Sequence, residues 1–416
     1  MTSAAVAPTL RAEPSAVRSV GTTAGRERLV SLDVFRGMTI AGMLLVNNPG
    51  TWGAIYAPLG HARWHGWTPT DLIFPFFLFI VGITTHISRE SRRERGDDDR
   101  TIVRQTLQRG ALIFLFGLVL SAFPGYQWGG VPGNADPSFA DRIVYRLEHL
   151  RYLGVLQRIA LAYVCAALLT LRTTFKQQII ILAALLYGYW WAMTLIPVPG
   201  RGMGALLLGE PGATLAAWTD RAILGVDHIW QGSKTYDPEG PLSTIPAIGT
   251  ALLGIFAGRW ISSARPLIER ITGLFAVGSI GMVAGLMWSW SFPINKNIWT
   301  SSYVLFTAGM ACTVIATCMW LIEVHGITRW TKPFVIYGVN PIVAFVGSGI
   351  MARLIYSMIK VPYEGEPIAL QAAVYQSMFA SWLEPKNASL AFAICFVLLW
   401  LGILTVLYRK RIILKV

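Results

Sequence analysis

About ten long apolar segments dominate this sequence of 416 residues. A transmembrane helix needs about 20 consecutive, mostly apolar residues to cross the hydrocarbon core. Because that core offers no water to backbone groups, only helices and closed barrels span it. The chain is therefore predicted to be all-α, a polytopic membrane helical bundle with about ten transmembrane helices. The predicted spans lie near 29–48, 70–88, 109–123, 153–171, 178–196, 243–260, 271–290, 300–322, 333–357 and 389–408.

The composition excludes the main soluble classes. Hydrophobic residues make up 54% and charged residues 14% of the chain, whereas soluble domains carry about 25% charged residues. The 16 Trp, 14 Tyr and 19 Phe residues suit the aromatic belts at the two faces of a bilayer. The 4 Cys residues lie in apolar runs and form no C-x-x-C pair. Neither a disulfide framework nor a metal site is therefore predicted.

The net charge of +13 follows membrane topology and does not indicate a nucleic-acid partner. Most of the 35 Lys and Arg residues fall in alternate connections between spans, which predicts that both termini are cytoplasmic. No basic stripe suited to nucleic acid occurs along the chain. Residues 1–27 are predicted to form a disordered cytoplasmic tail, and residues 28–416 the transmembrane domain. The charged stretch 89–109 is interpreted as a solvated linker.

The first span carries polar and charged residues, which are costly in a bilayer unless they are paired or have a function. In LVSLDVFRGMTIAGMLLVNN, the residues Asp33, Arg36 and Asn47 lie on one side of the helix. Arg36 and Asn47 are separated by about 16 Å of rise. One interpretation is an Asp33–Arg36 ion pair with Asn47 as a cap. The other is a polar track for an elongated anionic ligand, whose phosphate Arg36 binds.

The connection after the first span holds two histidines, His61 and His65, among several tryptophans. Thr68-Pro69-Thr70-Asp71 follows, with the pattern of a capping box at the start of the second span. Asp71 therefore has a structural explanation as a cap. The alternative is that Asp71 orients a histidine, since a carboxylate fixes the tautomer of an imidazole and raises its basicity.

Further polar residues occur at the ends of later spans. Arg151 is interpreted as snorkelling to the interface, whereas Arg158 lies too deep for that and needs an internal partner. The segment 237–240, Asp-Pro-Glu-Gly, has turn chemistry before the sixth span. Lys296 lies at the mouth of the eighth span. Asn340 precedes Pro341 inside the ninth, where a helix interruption is tolerated if protein surrounds it or it lines a cavity.

Five motifs in this order resemble one known family. They are LDVFRG with an Asn soon after, H-x-x-W-x-G-x-T-x-x-D-x-x-F-P, GVLQRIALAY, YDPEGPLSTIP and PINK-x-x-W-x-x-S. Each motif alone is weak, but the set resembles the heparan-α-glucosaminide N-acetyltransferase family and its bacterial relatives over roughly residues 26–408. The resemblance implies that acetyl-CoA, bound from the cytosolic side, donates acetyl to a glucosamine amine on the opposite side. It also implies a bacterial inner (plasma) membrane location.

The resemblance also implies roles for particular residues. The key histidine of the family falls on His61 and not on His65, and its first-span asparagine falls on Asn47. Family-like motifs and intramembrane polarity together assign two further sets of contacts. Expected donor contacts are Arg36, Asp33, Arg158, Gln157 and Asn340; expected acceptor contacts are Trp64, Asp237, Glu239, Lys296 and Trp299. Lysosomal members carry a further lumenal domain and an additional first helix, so this chain is expected to be the catalytic bundle alone. Its acceptor is expected to be a periplasmic amino sugar or oligosaccharide.

Acyl transfer to an amine needs a base for the amine proton and donors for the tetrahedral oxyanion. His61 is the hypothesised general base, Asp71 its orienter and Asn47 a donor to the thioester carbonyl or oxyanion. An acetyl-histidine intermediate is the competing mechanism.

Two other functions stay open on sequence grounds. Broken helices and intramembrane charges also suit a secondary transporter of an amino sugar or organic anion. An O-acyltransferase acting on a hydroxyl is the third option. The expected partners are the acceptor sugar and membrane lipid. The sequence leaves open a homodimer, the identity of the acceptor and the range of acyl chains.

Overall fold

The computed structural model describes residues 29–414, so the predicted tail, residues 1–27, lies outside the described residues. Helices dominate this part of the chain, and two short antiparallel strand pairs lie in connections between them. The strands are β1 (Pro197–Val198) with β2 (Gly202–Met203), and β3 (Lys360–Tyr363) with β4 (Glu366–Ala369). The α-helices are α1 Val30–Asn47, α2 Ile73–Glu94, α3 Asp99–Ala122, α4 Phe139–Glu148, α5 Val155–Arg172, α6 Phe175–Leu195, α7 Gly204–Leu207, α8 Leu215–Leu224, α9 Pro241–Ile261, α10 Leu267–Trp288, α11 Ser301–Met319, α12 Thr331–Val339, α13 Pro341–Arg353, α14 Leu370–Tyr375 and α15 Pro385–Arg409.

Ten helices of the described residues are long and apolar enough to cross a membrane. They are α1, α2 with the turn that precedes it, α3, α5, α6, α9, α10, α11 with the π-turn Trp320–Val324, α13 with the π-turn Leu354–Met358, and α15. Each contains most of one predicted span. The predicted all-α membrane bundle is therefore confirmed.

The prediction of a linker over 89–109 is wrong. Helix α2 continues to Glu94 and α3 already begins at Asp99, so only four residues separate them. The carboxylate of Asp98 accepts a hydrogen bond from the backbone N–H of Thr101 at 3.0 Å and caps α3. Arg, Gln and Leu are good helix formers. The helices therefore extend beyond the apolar stretch that hydropathy detects.

The ninth span is interrupted at Asn340, as predicted, but the interruption lies at its start and not within it. Helix α12 ends at Val339, and the span runs from Pro341 to Met358. Helix α12 packs instead along α1, where Gly37 and Gly338 let the two backbones approach closely. A Cβ at Gly37 would lie 1.7 Å from the carbonyl oxygen of Phe334. Small residues commonly permit such contacts between membrane helices.

Two opposite ends of the bundle can be distinguished from the connectivity. The loop end is where α2, α9 and α11 begin, and its segments 48–68, 225–240 and 289–300 carry three of the motifs. The backbone N–H of Gly66 donates to the carbonyl of Ile294 at 2.8 Å and joins two of these segments. The basic end is where α1 begins and α2 and α5 end. There Arg89 Nη1 donates to Thr170 Oγ1 at 3.0 Å.

Candidate active site

The predicted capping box at the start of α2 forms and holds a buried carboxylate. Asp71 is 1% exposed, and its Oδ2 accepts hydrogen bonds from the backbone N–H groups of Ala62 and Thr68, each at 3.0 Å. The Tyr303 hydroxyl donates to the backbone carbonyl of Asp71 at 2.5 Å. The two bonds to Oδ2 are charge-assisted and offset the cost of burying the carboxylate. They also fix which of its oxygens remains available.

The available oxygen faces His61. Asp71 Oδ1 lies 2.7 Å from His61 Nδ1, so Asp71 serves at once as cap and as partner of this histidine. Because a carboxylate accepts, Nδ1 carries the proton and Nε2 carries the lone pair. The His61 side chain is 45% exposed, whereas its partner carboxylate is closed off from solvent. This arrangement orients Nε2 as a base or nucleophile.

Lys296 completes the group from the connection between α10 and α11. Its Nζ lies 3.0 Å from His61 Nδ1, 3.2 Å from His61 Nε2 and 3.8 Å from Asp71 Oδ1. An ammonium nearly equidistant from both ring nitrogens lies over the ring and not on either in-plane lone pair. Burial lowers the pKa of Lys296, and the negative charges of Asp71 and Glu239 offset this only in part.

A tight turn positions Lys296. The Oδ1 atom of the buried Asn295 accepts from the backbone N–H groups of Asn297 at 2.8 Å and Ile298 at 3.2 Å. Trp299 follows with φ of 48°, in the left-handed region. The turn thereby directs Lys296 toward the histidine while Trp299 points into the core, where it is 1% exposed. The structure therefore places Trp299, an expected acceptor contact, beneath the site.

The Asp-Pro-Glu-Gly turn is joined to Arg151 beside this group. Arg151 donates from Nε to Asp237 Oδ2 at 2.9 Å and from Nη2 to Asp237 Oδ1 at 2.5 Å, and also to Glu239. The interpretation of Arg151 as snorkelling is wrong, because the two carboxylates hold it in the protein. Burial opposes the ionisation of Glu239, but the charges of Arg151, Arg158 and Lys296 outweigh it and lower its pKa.

Asp220 on α8 is a member of this cluster that sequence reasoning missed. Its Oδ2 accepts from the backbone N–H of Asp237 at 2.8 Å, and the residue is 1% exposed. Burial raises the pKa of Asp220 to about 7. Burial also raises the pKa of Asp237, although Arg151 counteracts it. No motif marks Asp220; only the bend of the chain between α8 and α9 brings it to the turn.

Arg158 finds the internal partners that its depth required. It is fully buried, donates to the carbonyl of Gly240 at 3.2 Å and to Ser243 Oγ, and its guanidinium lies 5.2 Å from the ring centroid of Trp299. Its Nε and Nη1 have no hydrogen-bond partner among residues 29–414. The neighbouring Gln157 is also buried, with its side-chain amide nitrogen unpartnered in the same described range.

The remaining predicted donor contacts, Asp33, Arg36 and Asn340, lie at the basic end of the bundle. Arg36 Nη1 lies 3.5 Å from Asp33 Oδ1 and donates to the carbonyl of Gly338 at 3.1 Å, so the simpler of the two interpretations, the local ion pair, forms. Asn340 binds the end of the chain: it donates to the carbonyl of Ile412 and accepts from the N–H of Leu414, both at 3.0 Å. These contacts hold Asn340 at the basic end, away from His61.

Two predicted residues at the loop end, Asn47 and Trp64, and the second histidine, His65, have different surroundings. Asn47 is the last residue of α1 and is exposed, and no hydrogen bond joins it to His61 within the described chain. Trp64 donates from Nε1 to the carbonyl of Leu208 at 2.7 Å. His65 lies 3.5 Å from the Asn295 amide, and none of the described carboxylates is within ion-pair distance of it. His61 is thus distinguished from His65 by its carboxylate.

The fold and the site define a class: a polytopic membrane protein with a carboxylate-oriented histidine at one end of its bundle. The family model described as heparan-alpha-glucosaminide N-acetyltransferase, catalytic, matches residues 28–272. Since the match covers more than half of the chain, the chain belongs to this family. His61, Asp71 and the Asp237–Glu239 turn lie inside the matched region, and Lys296 lies beyond it.

Curated relatives extend the similarity along the chain. The human heparan-alpha-glucosaminide N-acetyltransferase is 29% identical over 431 residues, which cover 94% of this chain and 60% of the human protein. The mouse protein of the same name is 28% identical over 424 residues, with the same coverage of 94% and 60%. The chain thus spans about 60% of the length of the curated relatives that it matches.

Proposed function

We propose that this chain is a transmembrane N-acetyltransferase that moves acetyl from acetyl-CoA to the amine of a glucosamine-type sugar. The observation that carries the proposal is the 2.7 Å contact between His61 Nδ1 and the buried Asp71 carboxylate, which leaves Nε2 as the basic atom. The names of the curated relatives support acetyl transfer to an amino sugar. Within residues 29–414, no group of three or more His, Cys, Asp and Glu side chains is arranged to hold a metal ion.

The proposed topology follows the charge distribution. The basic end faces the cytosol, both termini are cytoplasmic, and the loop end faces the periplasm of a bacterial inner membrane. Acetyl-CoA approaches from the cytosol, and Asp33, Arg36, Gln157, Arg158 and Asn340 are the proposed donor contacts. The acceptor reaches the loop end, where Trp64, Asp237, Glu239, Lys296 and Trp299 surround or support its site.

In the direct mechanism, His61 acts as general base. Its Nε2 takes a proton from the acceptor amine as the amine nitrogen attacks the thioester carbon. Asp71 stabilises the resulting imidazolium. Lys296 and Asn47 donate to the oxyanion of the tetrahedral intermediate. The carbon–sulfur bond then breaks, and His61 returns the proton to the CoA thiolate, so that amide and free thiol are the products.

In the covalent alternative, His61 Nε2 itself attacks the thioester carbon. An acetyl-imidazole forms and CoA leaves as the thiolate, which takes up a proton. The acceptor amine then attacks the acetyl carbon, its proton passes to His61 Nε2 as the carbon–nitrogen bond to the ring breaks, and the imidazole is regenerated. The same Asp71 contact serves both routes, because each places positive charge on the ring. Release of CoA in the absence of acceptor, in an amount equal to the protein, distinguishes the covalent route from the direct one.

The experiment that tests the function uses the purified protein in detergent with acetyl-CoA and glucosamine. We expect release of free CoA thiol together with an N-acetylated product, detected by mass spectrometry. An amide survives mild base whereas an ester does not, so base treatment separates this proposal from O-acylation. The control is the His61→Ala variant, which we expect to lose both products. Thiol release without any acetylated sugar, or an equally active variant, would contradict the proposal.

A further inference from the structure

A cavity at the basic end is lined by arginines that the proposed mechanism does not use. It is a small cavity, open to solvent, where α2, α3 and α5 meet. Helical spacing explains its lining, because each helix contributes one face. The lining residues are Thr85, Ser88, Arg89 and Arg92 of α2, Ile102, Thr106 and Arg109 of α3, and Tyr163, Ala167 and Leu171 of α5.

Arg89 is held in place at the cavity wall. It is 7% exposed, and its Nη1 donates to the carbonyl and the hydroxyl of Thr170 at 3.2 and 3.0 Å. Its Nη2 lies 3.3 Å from His86 Nδ1. The buried Nε has no hydrogen-bond partner in the described range, although the half-buried Glu90 carboxylate lies 3.4 Å away. Thr170, His86 and the ion pair with Glu90 thus fix the position of the Arg89 guanidinium.

Arg109 and Arg92 supply the other positive charges. The guanidinium of Arg109 lies 5.1 Å from the ring centroid of Tyr163, and its buried Nε has no hydrogen-bond partner between residues 29 and 414. Neither Arg92 nor Arg109 makes an ion pair with a described carboxylate. The need for basic residues on the cytoplasmic side does not explain why Arg92 and Arg109 line a cavity. Exposed arginines of the same helices, such as Arg93 and Arg104, already provide that charge.

We propose that this cavity binds a phosphate-bearing group. Three guanidinium groups and four hydroxyl-bearing side chains line it, and none of the described carboxylates does, which is a donor set suited to phosphate oxygens. The cavity is small and open to solvent, so the proposal concerns a phosphate group bound at its mouth and not a whole nucleotide thioester. The phosphate belongs either to the CoA donor or to the headgroup of an anionic phospholipid. The first source rests on the proposed function, whereas the second does not.

The test compares two double variants of equal charge, in POPC nanodiscs for the coenzyme probes and in mixed POPC–POPG nanodiscs for the lipid probe. Arg92→Gln with Arg109→Gln removes two cavity arginines. Arg93→Gln with Arg104→Gln removes two exposed arginines from the same helices. Binding is measured calorimetrically with CoA and with dephospho-CoA, which lacks the 3′-phosphate, and retained POPG is measured by native mass spectrometry. No acceptor is present, so the result does not depend on whether the protein catalyses transfer.

We expect the cavity variant, but not the control, to lose about tenfold or more in binding one of the two probes. If the source is the coenzyme, CoA loses its advantage over dephospho-CoA; if the source is lipid, bound POPG is lost. Thermal melting monitors folding, and the single Arg92→Gln variant, at a half-exposed position, repeats the test if the double variant melts early. A cavity variant that binds both probes as the control does would overturn the proposal.

Discussion

Replacing Asp71 with Asn tests the proposed base more sharply than removing the histidine. Two backbone N–H groups, of Ala62 and Thr68, point at Asp71 Oδ2. They require the carbonyl oxygen of the new amide in that position, so its NH₂ group must face His61. An NH₂ donor makes Nδ1 the acceptor and moves the imidazole proton to Nε2. The atom proposed as base or nucleophile then has no lone pair to offer.

The expected loss is large. In a serine-protease triad the same carboxylate-to-amide change lowers kcat by about 10⁴-fold through the wrong tautomer. That corresponds to about 5 kcal/mol of transition-state stabilisation. We expect Asp71→Asn to lose on the order of 10³–10⁴-fold in acetyl transfer, with a melting temperature close to that of the unmodified protein because both cap bonds are kept.

The assay is the rate of CoA thiol release with glucosamine as acceptor. The matched control is Asp227→Asn, because Asp227 also faces a histidine, His149, at 3.8 Å but has a 65% exposed side chain. It should leave the rate unchanged. In a His61→Ala background, Asp71→Asn should cost nothing further, since the two residues act as one unit. A folded Asp71→Asn protein within about threefold of the unmodified rate would refute the tautomer argument.

Three further predictions follow from the neighbouring contacts. Lys296→Met should lower kcat by about 10²-fold or more, because the ammonium beside His61 is proposed to stabilise the oxyanion. Steady-state kinetics measure this, and an unchanged kcat would exclude the role. Arg151→Met should reduce the free energy of unfolding by about 3–5 kcal/mol, because it leaves two buried carboxylates unpaired. The control is Arg201→Met, which removes an exposed ion pair with Glu210 and should cost less than about 1 kcal/mol. Thermal melting compares the two variants, and equal shifts would contradict the argument. The pKa of Asp220 is raised to about 7 in the folded protein, so its stabilising contribution is present at acidic pH and falls as the pH rises toward about 7. Asp220→Asn should therefore flatten this part of the profile of stability against pH. An unchanged slope between about pH 4 and 7 would show that the carboxyl is not the cause.

The sequence predicted the bundle well because hydropathy reports what a bilayer requires of each span. It failed at 89–109, where charged residues continue two helices beyond the apolar stretch. Hydropathy detects the membrane boundary, whereas helix propensity and the Asp98 cap decide where a helix ends. The sequence-based prediction also placed the interruption at Asn340 inside the ninth span. The hydropathy pattern alone does not distinguish a helix that packs on the bundle, such as α12, from the first turns of a span.

The site was predictable where its residues are close in sequence. His61 and Asp71 are ten residues apart, and the capping pattern that holds Asp71 is local. Long-range contacts were not predictable in the same way. Arg151 and Asp237 are 86 residues apart, so nothing in either segment shows that the arginine is paired. Lys296 is 235 residues from His61 along the chain, and only the fold brings its ammonium over the imidazole ring.

The central claim is that an acetyl group, and not the sugar, crosses the bundle. Sealed proteoliposomes test it most directly, with acetyl-labelled acetyl-CoA on one side of the membrane and glucosamine on the other. We expect free CoA to accumulate on the side of the coenzyme and labelled N-acetylglucosamine on the side of the sugar, with neither formed by the His61→Ala protein. Passage of unmodified glucosamine across the membrane without release of CoA would contradict the claim and identify the chain as a transporter.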